Sequence, residues 1–294
     1  MDSYTGFAEV YDTFMDETPY GEWADYISQL ILQYGISQPS ETEGKAKASD
    51  KEQEALCSER NLVVELGCGT GNFTQKMAEK GYDMIGIDNS SEMLDIALKK
   101  KRKSNQNMMY LEQDMREIDL YSTAGTFISV CDSINYLLED DDVRRTFALV
   151  NNYLYPGGIF IFDFNTIHKY RDVIGDTTIA EDRDNCSFIW DNYYHADEAI
   201  NEYDLTIFVA EEYTNKDRAQ VSDGGLFRKF METHYQRGYT LDEMKHFVEE
   251  AGMQFVTAID AEKHSEVTEK SERVYVIARE QMKKNFINAA AEEK

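Results

Sequence analysis

Five short apolar runs punctuate the middle of the chain: LVVEL at 62–66, DMIGID at 83–88, MMYLEQD at 108–114, TFISVCD at 126–132 and GIFIFDF at 158–164. Strands covered by helices on both faces need no polar side, so they read as nearly continuous apolar runs. Helical stretches separate them. Residues 72–80 run up to Gly81, and a helix over 90–103 opens at Asn89 or Ser90 and buries Met93, Leu94, Ala97 and Leu98. A third helix, over 140–155, opens on Asp140, Asp141 and Asp142, carries Val143, Phe147 and Val150, and stops at Pro156-Gly157-Gly158. That acidic opening suits the positive end of a helix dipole. Strand and helix alternating over short links predict an α/β fold with a doubly wound, mostly parallel, seven-stranded sheet.

The flanks read differently. Trp23, Ile27, Leu30, Ile31 and Tyr34 recur at helical spacing over 20–34, with Gly35 as the stop. Residues 36–60 lose their aromatics and become rich in Ser, Glu, Lys and Gln, which predicts a solvated, flexible insertion. After Asn165, the stretches 186–212 and 227–236 are rich in Tyr, Phe, Ile, Val and Thr with partial alternation. They predict half-buried antiparallel strands, an added sheet inserted at about 170–236. Thr240-Leu-Asp-Glu243 is a capping box opening a helix with Met244, Phe247, Val248 and Ala251, closed by Gly252. Strands at 253–259 and 273–279 finish the fold, so the chain divides into an arm (1–35), an insertion (36–60) and one domain (61–294).

Composition narrows the partners. With 56 Asp+Glu against 30 Lys+Arg the formal charge is −26, which repels a polyanion at long range and disfavours nucleic acid. The dense exception is Lys99–Lys103 (KKKRK). It is either the cationic end of a helix or a patch for nucleic acid or phosphate. No run reaches the ~18 apolar residues of a membrane span. The acidic N-terminus predicts no secretory signal, and a cytoplasmic protein is expected. Cys57, Cys68, Cys131 and Cys186 form no CxxC pair and no metal-ligand spacing with histidine, so free thiols and no metal site are expected.

The candidate chemistry lies where LVVEL runs into Glu65-x-Gly67-x-Gly69-x-Gly71 and then a helix. Glycines serve where the backbone takes positive φ and approaches a ligand closely. The dinucleotide fingerprint GxGxxG would need a third glycine at Asn72 or Thr74, so neither frame fits. An acid two residues before the first glycine serves a diphosphate badly and suits a cationic ligand with an amino group.

These residues resemble the class I S-adenosylmethionine (SAM)-dependent methyltransferases, over about 61–165. The resemblance implies that Glu65, Gly67, Cys68, Gly69 and Gly71 hold the methionine part of SAM. It implies that Asp88, 17 residues after Gly71, grips the ribose diol, with Asn89 beside it and Met93 lining the adenine pocket. Asp114 would accept from the adenine amine, the Met115 N–H would face the ring, and Cys131-Asp132-Ser133 would lie over the cofactor facing the acceptor. Read without the resemblance, Asp88 is also a capping acid, Asp114 a surface acid and Met93 a core residue. Phe7-Ala-Glu-Val-Tyr-Asp-Thr-Phe-Met15 with Pro19-Tyr-x-x-Trp23 resembles a bacterial group related to amino-sugar N,N-dimethyltransferases. In that group the arm folds over the cofactor, which implies that Tyr11, and after it Tyr4, reaches the methionine carboxylate or the substrate.

Methyl transfer from a sulfonium is an in-line displacement, in which an amine needs only a neutral lone pair and an oxygen wants a base or a metal. Tyr136, just past the fourth strand, and His234, on a strand of the added sheet, are the candidate catalytic or substrate-contacting residues, against packing roles. The three prolines (19, 39, 156) leave no (Asn/Asp)-Pro-Pro-aromatic motif at the fourth strand, and no Pro-Cys exists for cytosine C5 chemistry. The expected activity is SAM-dependent methylation of a small molecule, an amine first. The alternatives are a methyltransferase acting on RNA or protein, or a SAM-binding module without catalysis. The added sheet is either a lid or the contact of a homodimer.

Overall fold

The parallel strands form from the runs that carry no polar face. β1 (Leu62–Leu66), β2 (Asp83–Asp88), β3 (Met108–Glu112), β4 (Ala124–Ser129) and β5 (Leu154–Asn165) lie side by side in the order β3–β2–β1–β4–β5. All residues of β1 and β4 are buried, as central strands between helix layers require. The structure, a computed structural model, describes residues 7–40, 58–104, 106, 108–211 and 226–281. The helices preceding and linking these strands are α1 (Ala8–Phe14), α2 (Tyr20–Tyr34), α3 (Asn72–Glu79), α4 (Ser91–Lys101) and α5 (Asp140–Tyr153).

After β5 the chain leaves the sheet. A π-helical turn, Lys169–Ile174, leads into β6 (Thr178–Asp182), β7 (Cys186–His195), β8 (Ile200–Ala210) and β9 (Phe227–Arg237), a separate antiparallel sheet in sequential order. The chain returns through α6 (Leu241–Glu250), which opens on the complete Thr240/Glu243 capping box. It then adds β10 (Met253–Asp260) and β11 (Arg273–Glu280), with β11 antiparallel to β5 and β10 antiparallel to β11. The mixed seven-stranded sheet with an inserted antiparallel sheet is the architecture that the apolar pattern predicts.

Side chains alternating across the sheet fill two cores. Leu62, Val64, Leu66, Phe127, Phe160 and Phe162 pack against Phe147 of α5 and Phe247 of α6. Val63, Ile128, Ile159 and Ile161 point the other way, onto Ile27 and Ile31 of α2 and Met77 of α3. A third, smaller cluster fastens α1 to the inserted sheet, with Phe7, Val10 and Phe14 against Cys186, Tyr203, Leu205 and Ile207. β8 alternates half-buried and buried residues along most of its length, matching a sheet with one covered face.

Several local expectations are corrected. α5 ends at Tyr153, and Pro156-Gly157-Gly158 lie inside β5 instead of stopping the helix. Ala124 pairs with Leu154 and Thr126 with Ile159, so residues 155–158 bulge out opposite Gly125. The bulge is held from β11, where the buried Glu280 carboxylate accepts from the Gly157 N–H at 2.9 Å. Leu98 is only partly buried in α4, unlike Met93, Leu94 and Ala97. The fourth strand ends at Ser129, and Cys131 and Asp132 form a turn beyond it.

The stretch 36–60 is tied down at both ends. Ser37 is fully buried, donates to the Arg60 carbonyl at 3.0 Å, and shares a 2.8 Å hydrogen bond with Thr126. Residues 41–57 lie outside the described residues, and with them the core of the proposed flexible insertion. No described helix is long and apolar enough to cross a membrane.

Candidate active site

The C-terminal ends of β1, β2, β3 and β4 converge on a cavity of about 250 Å³. The glycine-rich turn after β1 forms its floor. Gly67 has φ +72°, and a Cβ there would collide with the Ser133 side chain arriving from beyond β4. Gly71, at φ +76°, is the N-cap of α3, where a Cβ would meet the Tyr110 hydroxyl. The backbone can follow this path only without side chains.

Asp88 closes β2 and locks the turn. The Gly69 N–H donates to its Oδ2 at 2.7 Å and the Ser90 N–H to its Oδ1 at 2.9 Å. Ser90 is the residue that caps α4, accepting from the Met93 N–H, so the carboxylate of Asp88 stays aimed along the cavity wall. Burial pushes its pKa up while those N–H donors pull it down. Glu65 is buried beneath it and accepts from the Thr74 hydroxyl. Burial, opposed by Thr74 and assisted by the charge of Asp88, pushes the Glu65 carboxyl up to about 8.

The far wall comes from the loop after β3. Asp114, Met115 and Arg116 line the cavity with Met93 and Asn89. Arg116 donates to both oxygens of Asp114, at 2.6 Å from Nη2 and 3.0 and 3.1 Å from Nε, and reaches Asp142 at 3.0 Å. Hydrogen bonding by Arg116 therefore holds the Asp114 carboxyl below the usual carboxylate range. Asp114 enters the cavity as half of an ion pair with Arg116.

The arm closes over the turn. Tyr11 and Tyr20 both line the cavity, and Asp12 clips α1 down: its Oδ1 accepts from Thr70 at 2.7 Å and from Asn72 at 3.0 Å. Lys100 joins this clip, 2.5 Å from Asp12 Oδ2 and donating to Asn72 Oδ1 at 2.6 Å. One lysine of the basic run is thereby spent inside the fold. Tyr4 lies outside the described residues.

Beyond β4 the chain makes a turn with two consecutive left-handed residues, Cys131 (φ 62°) and Asp132 (φ 55°). Their N–H groups donate to the buried Asp163 carboxylate at 3.0 and 2.8 Å, which fixes the turn against its own strain. Cys131 and Cys68 line the cavity, and burial pushes both thiols up, so neither is a ready thiolate nucleophile.

Tyr136 stands on the cavity wall, its hydroxyl 2.7 Å from that of Tyr203 and 3.3 Å from His234 Nδ1. His234 itself does not reach the cavity. It is buried one layer behind, stacked on Tyr203 at 4.8 Å between centroids, with Nε2 3.3 Å from Glu232. Glu232 in turn accepts from the Phe7 N–H at 3.1 Å, where the described part of the arm begins.

The sequence reading missed Asp12, Asn72, Glu232 and Asp163, and it assigned no role to Tyr20. Tyr20 and Asp12 carried a signal, as parts of the two arm motifs, Pro19-Tyr-x-x-Trp23 and Phe7–Met15. Among the described residues no group of three or more His, Cys, Asp or Glu could hold a metal ion.

Residues 63–158 match the model of a family described as a methyltransferase domain. The chain is 32% identical over 275 residues to a Bacillus subtilis protein described as putative methyltransferase YqeM, covering 92% of this chain and 95% of that relative. Among solved structures, an S-adenosylmethionine-dependent methyltransferase from Clostridium acetobutylicum superposes with a TM-score of 0.75 at 23% identity, over 95% of this chain and 99% of that one. An amino pentose methyltransferase from Micromonospora echinaspora, solved with SAM bound, gives a TM-score of 0.62 at 14% identity, over 92% and 97%. These two likenesses speak to the fold.

Proposed function

This chain belongs to the S-adenosylmethionine-dependent methyltransferases, and we propose that its acceptor is a small-molecule amine, by likeness to the solved amino pentose methyltransferase and to a solved sugar N-methyltransferase. The cavity suits the cofactor. Glu65 is a buried carboxyl with no cation within 4 Å among the described residues, so an incoming ammonium would ionise and pair with it. The Asp88 carboxylate, held by backbone N–H groups of Gly69, Ser90 and Asn89, keeps acceptor capacity for a ribose hydroxyl. Asn89, Met93 and Met115 then flank the adenine, with the Asp114–Arg116 pair at its edge, and Tyr11 meets the methionine carboxylate. Bound there, SAM supplies an electrophilic methyl carried on a sulfonium.

The observation that carries the acceptor reading is the roof. Tyr11 and Tyr20 of the arm and Tyr136 beyond β4 wall the end of the cavity, and Phe7, Val10 and Phe14 seat the arm on the inserted sheet. A small molecule can be enclosed in that space, whereas a nucleic-acid strand would need a continuous cationic track. Lys100 is already bound to Asp12. The same packing favours the lid role of the inserted sheet over a homodimer contact.

In this reading Tyr136 receives the acceptor's proton as its own moves to His234 Nδ1, and Glu232 holds the far side of that ring. The relay frees the lone pair of an ammonium acceptor and leaves the charge on the His234–Glu232 pair, away from the sulfonium.

Calorimetric titration with SAM, S-adenosylhomocysteine and NAD, on wild type and on Asp88→Ala, tests the cofactor half. Micromolar adenosyl binding, weakened roughly 10- to 100-fold by the substitution, is expected from losing a charged hydrogen-bonding group. NAD binding in its place overturns the assignment. The acceptor half is tested by S-adenosylhomocysteine release on a panel of amines, amino sugars, RNA and peptides, and turnover confined to RNA or peptides sinks the small-molecule reading.

A further inference from the structure

A group of charged side chains lies behind the Cys131–Asp132 turn, at the ends of β5 and β11, and the proton relay does not use it. Each oxygen of its two carboxylates already has a partner. Asp163 accepts from both turn N–H groups and lies 3.7 Å from Arg273, while Asp132 accepts from Arg273 at 2.8 Å and Gln236 at 2.7 Å. Lys169 is the exception. Its half-buried side chain donates through the ammonium to the side-chain oxygen of Asn165 at 3.1 Å, and no carboxylate lies within 4 Å of it among the described residues. The Arg273 Nε donates to that same Asn165 oxygen at 3.2 Å, so two cations converge on one neutral acceptor.

That arrangement carries a cost, because a cation partly withdrawn from water gains from a contacting anion. Burial first, and the charge of Arg273 second, pull the Lys169 pKa down; Asp132, Glu272 and Asp163 oppose this from further off. The group lies behind the cavity wall, since Asp132 stands between Cys131 and Ser133, both of which line the cavity. Asp132 follows Cys131, and the Arg273 guanidinium lies 5.9 Å from the Trp23 ring, which packs edge-on against Tyr20. We propose that Lys169, with Arg273 beside it, is the subsite for a carboxylate carried by the methyl acceptor, which makes the substrate an amine bearing a carboxylate. This deepens the small-molecule reading above and rests on it. A single negative charge is the better fit: a phosphate dianion would face Asp132 and Asp163 at close range.

The test uses the full chain loaded with S-adenosylhomocysteine, whose binding is measured first on every variant. Acetate and glycine are titrated in, with methylamine as the control, and Trp fluorescence reports occupancy. Matched pairs, glycine against methylamine and an amino-uronic acid against its amino sugar, are then compared in turnover. Expected are saturable carboxylate binding and at least a tenfold advantage in kcat/KM for each acid. Lys169→Gln removes both through KM while leaving kcat and S-adenosylhomocysteine affinity nearly unchanged, and Lys169→Arg retains most of the advantage. The subsite is overturned if S-adenosylhomocysteine binds but no carboxylate does, or if Lys169→Gln leaves carboxylate affinity as it was. Failure of S-adenosylhomocysteine to bind wild type strikes the cofactor reading instead.

Discussion

The two halves of the cavity are built by different means. The cofactor half is assembled by contacts spanning no more than 19 residues: Gly69 and Ser90 hold Asp88, Thr74 holds Glu65, and Arg116 holds Asp114. Most of its shape is backbone, set by glycines and strand ends. The acceptor half is assembled from distant segments. Tyr136 meets His234, 98 residues on, and Glu232 meets the Phe7 N–H, 225 residues away. One half follows from local chain geometry, and the other exists only once the arm, β4 and β9 have packed together.

Substitutions should separate the halves. The largest effect is expected from Tyr136→Phe, which removes the proposed proton acceptor while keeping the ring. Its kcat should fall about 100-fold or more, with S-adenosylhomocysteine affinity altered less than threefold. An equal loss in cofactor affinity would show that the halves are not separable.

Glu65→Gln acts on the other half and on stability. Because the folded-state pKa is raised to about 8, the folded protein holds a proton that the unfolded chain gives up near the ordinary carboxylate value. The resulting stabilisation is full below that ordinary value and is lost as pH rises through about 8. It amounts to on the order of a few kcal/mol for so buried a group. Melting temperatures of the ligand-free protein between pH 5 and 8 should fall more steeply in wild type than in Glu65→Gln, as roughly follows from that linkage. Parallel pH curves would contradict the burial argument.

The smallest effect is expected at the seam between the halves. Asp12→Asn weakens the clip to Thr70, Asn72 and Lys100, and the loss should be about 1 kcal/mol for a partly exposed network. It should appear as a several-fold rise in KM for the cofactor and faster proteolysis of the arm. An unchanged KM would make the clip incidental.

Legibility in the sequence follows the same division. Apolar runs without a polar face predict the parallel strands, and the observed sheet has them in the expected sequence positions. Pro156-Gly157-Gly158 was misread because a turn and a bulge share the same local chemistry; Glu280 on β11 decides between them. The KKKRK run does form the cationic end of a helix, yet nothing near it along the chain indicates that Asp12 takes up Lys100. His234 was singled out on its strand, but its distance from the cavity depends on Tyr203 and Tyr136 filling the space between.

What the sequence by itself determined is therefore the alternating α/β order, the glycine-rich turn and the position of Asp88 at the end of β2. Side-chain periodicity and allowed backbone angles act over a few residues, and a single chain displays both. The tertiary structure alone decided how the arm is pinned, which groups stand behind Tyr136, and that Lys169 lies next to Arg273 with no contacting anion among the described residues. Those features depend on distances between segments far apart in the chain, and only the packing of the arm, the two sheets and the helices brings such segments together.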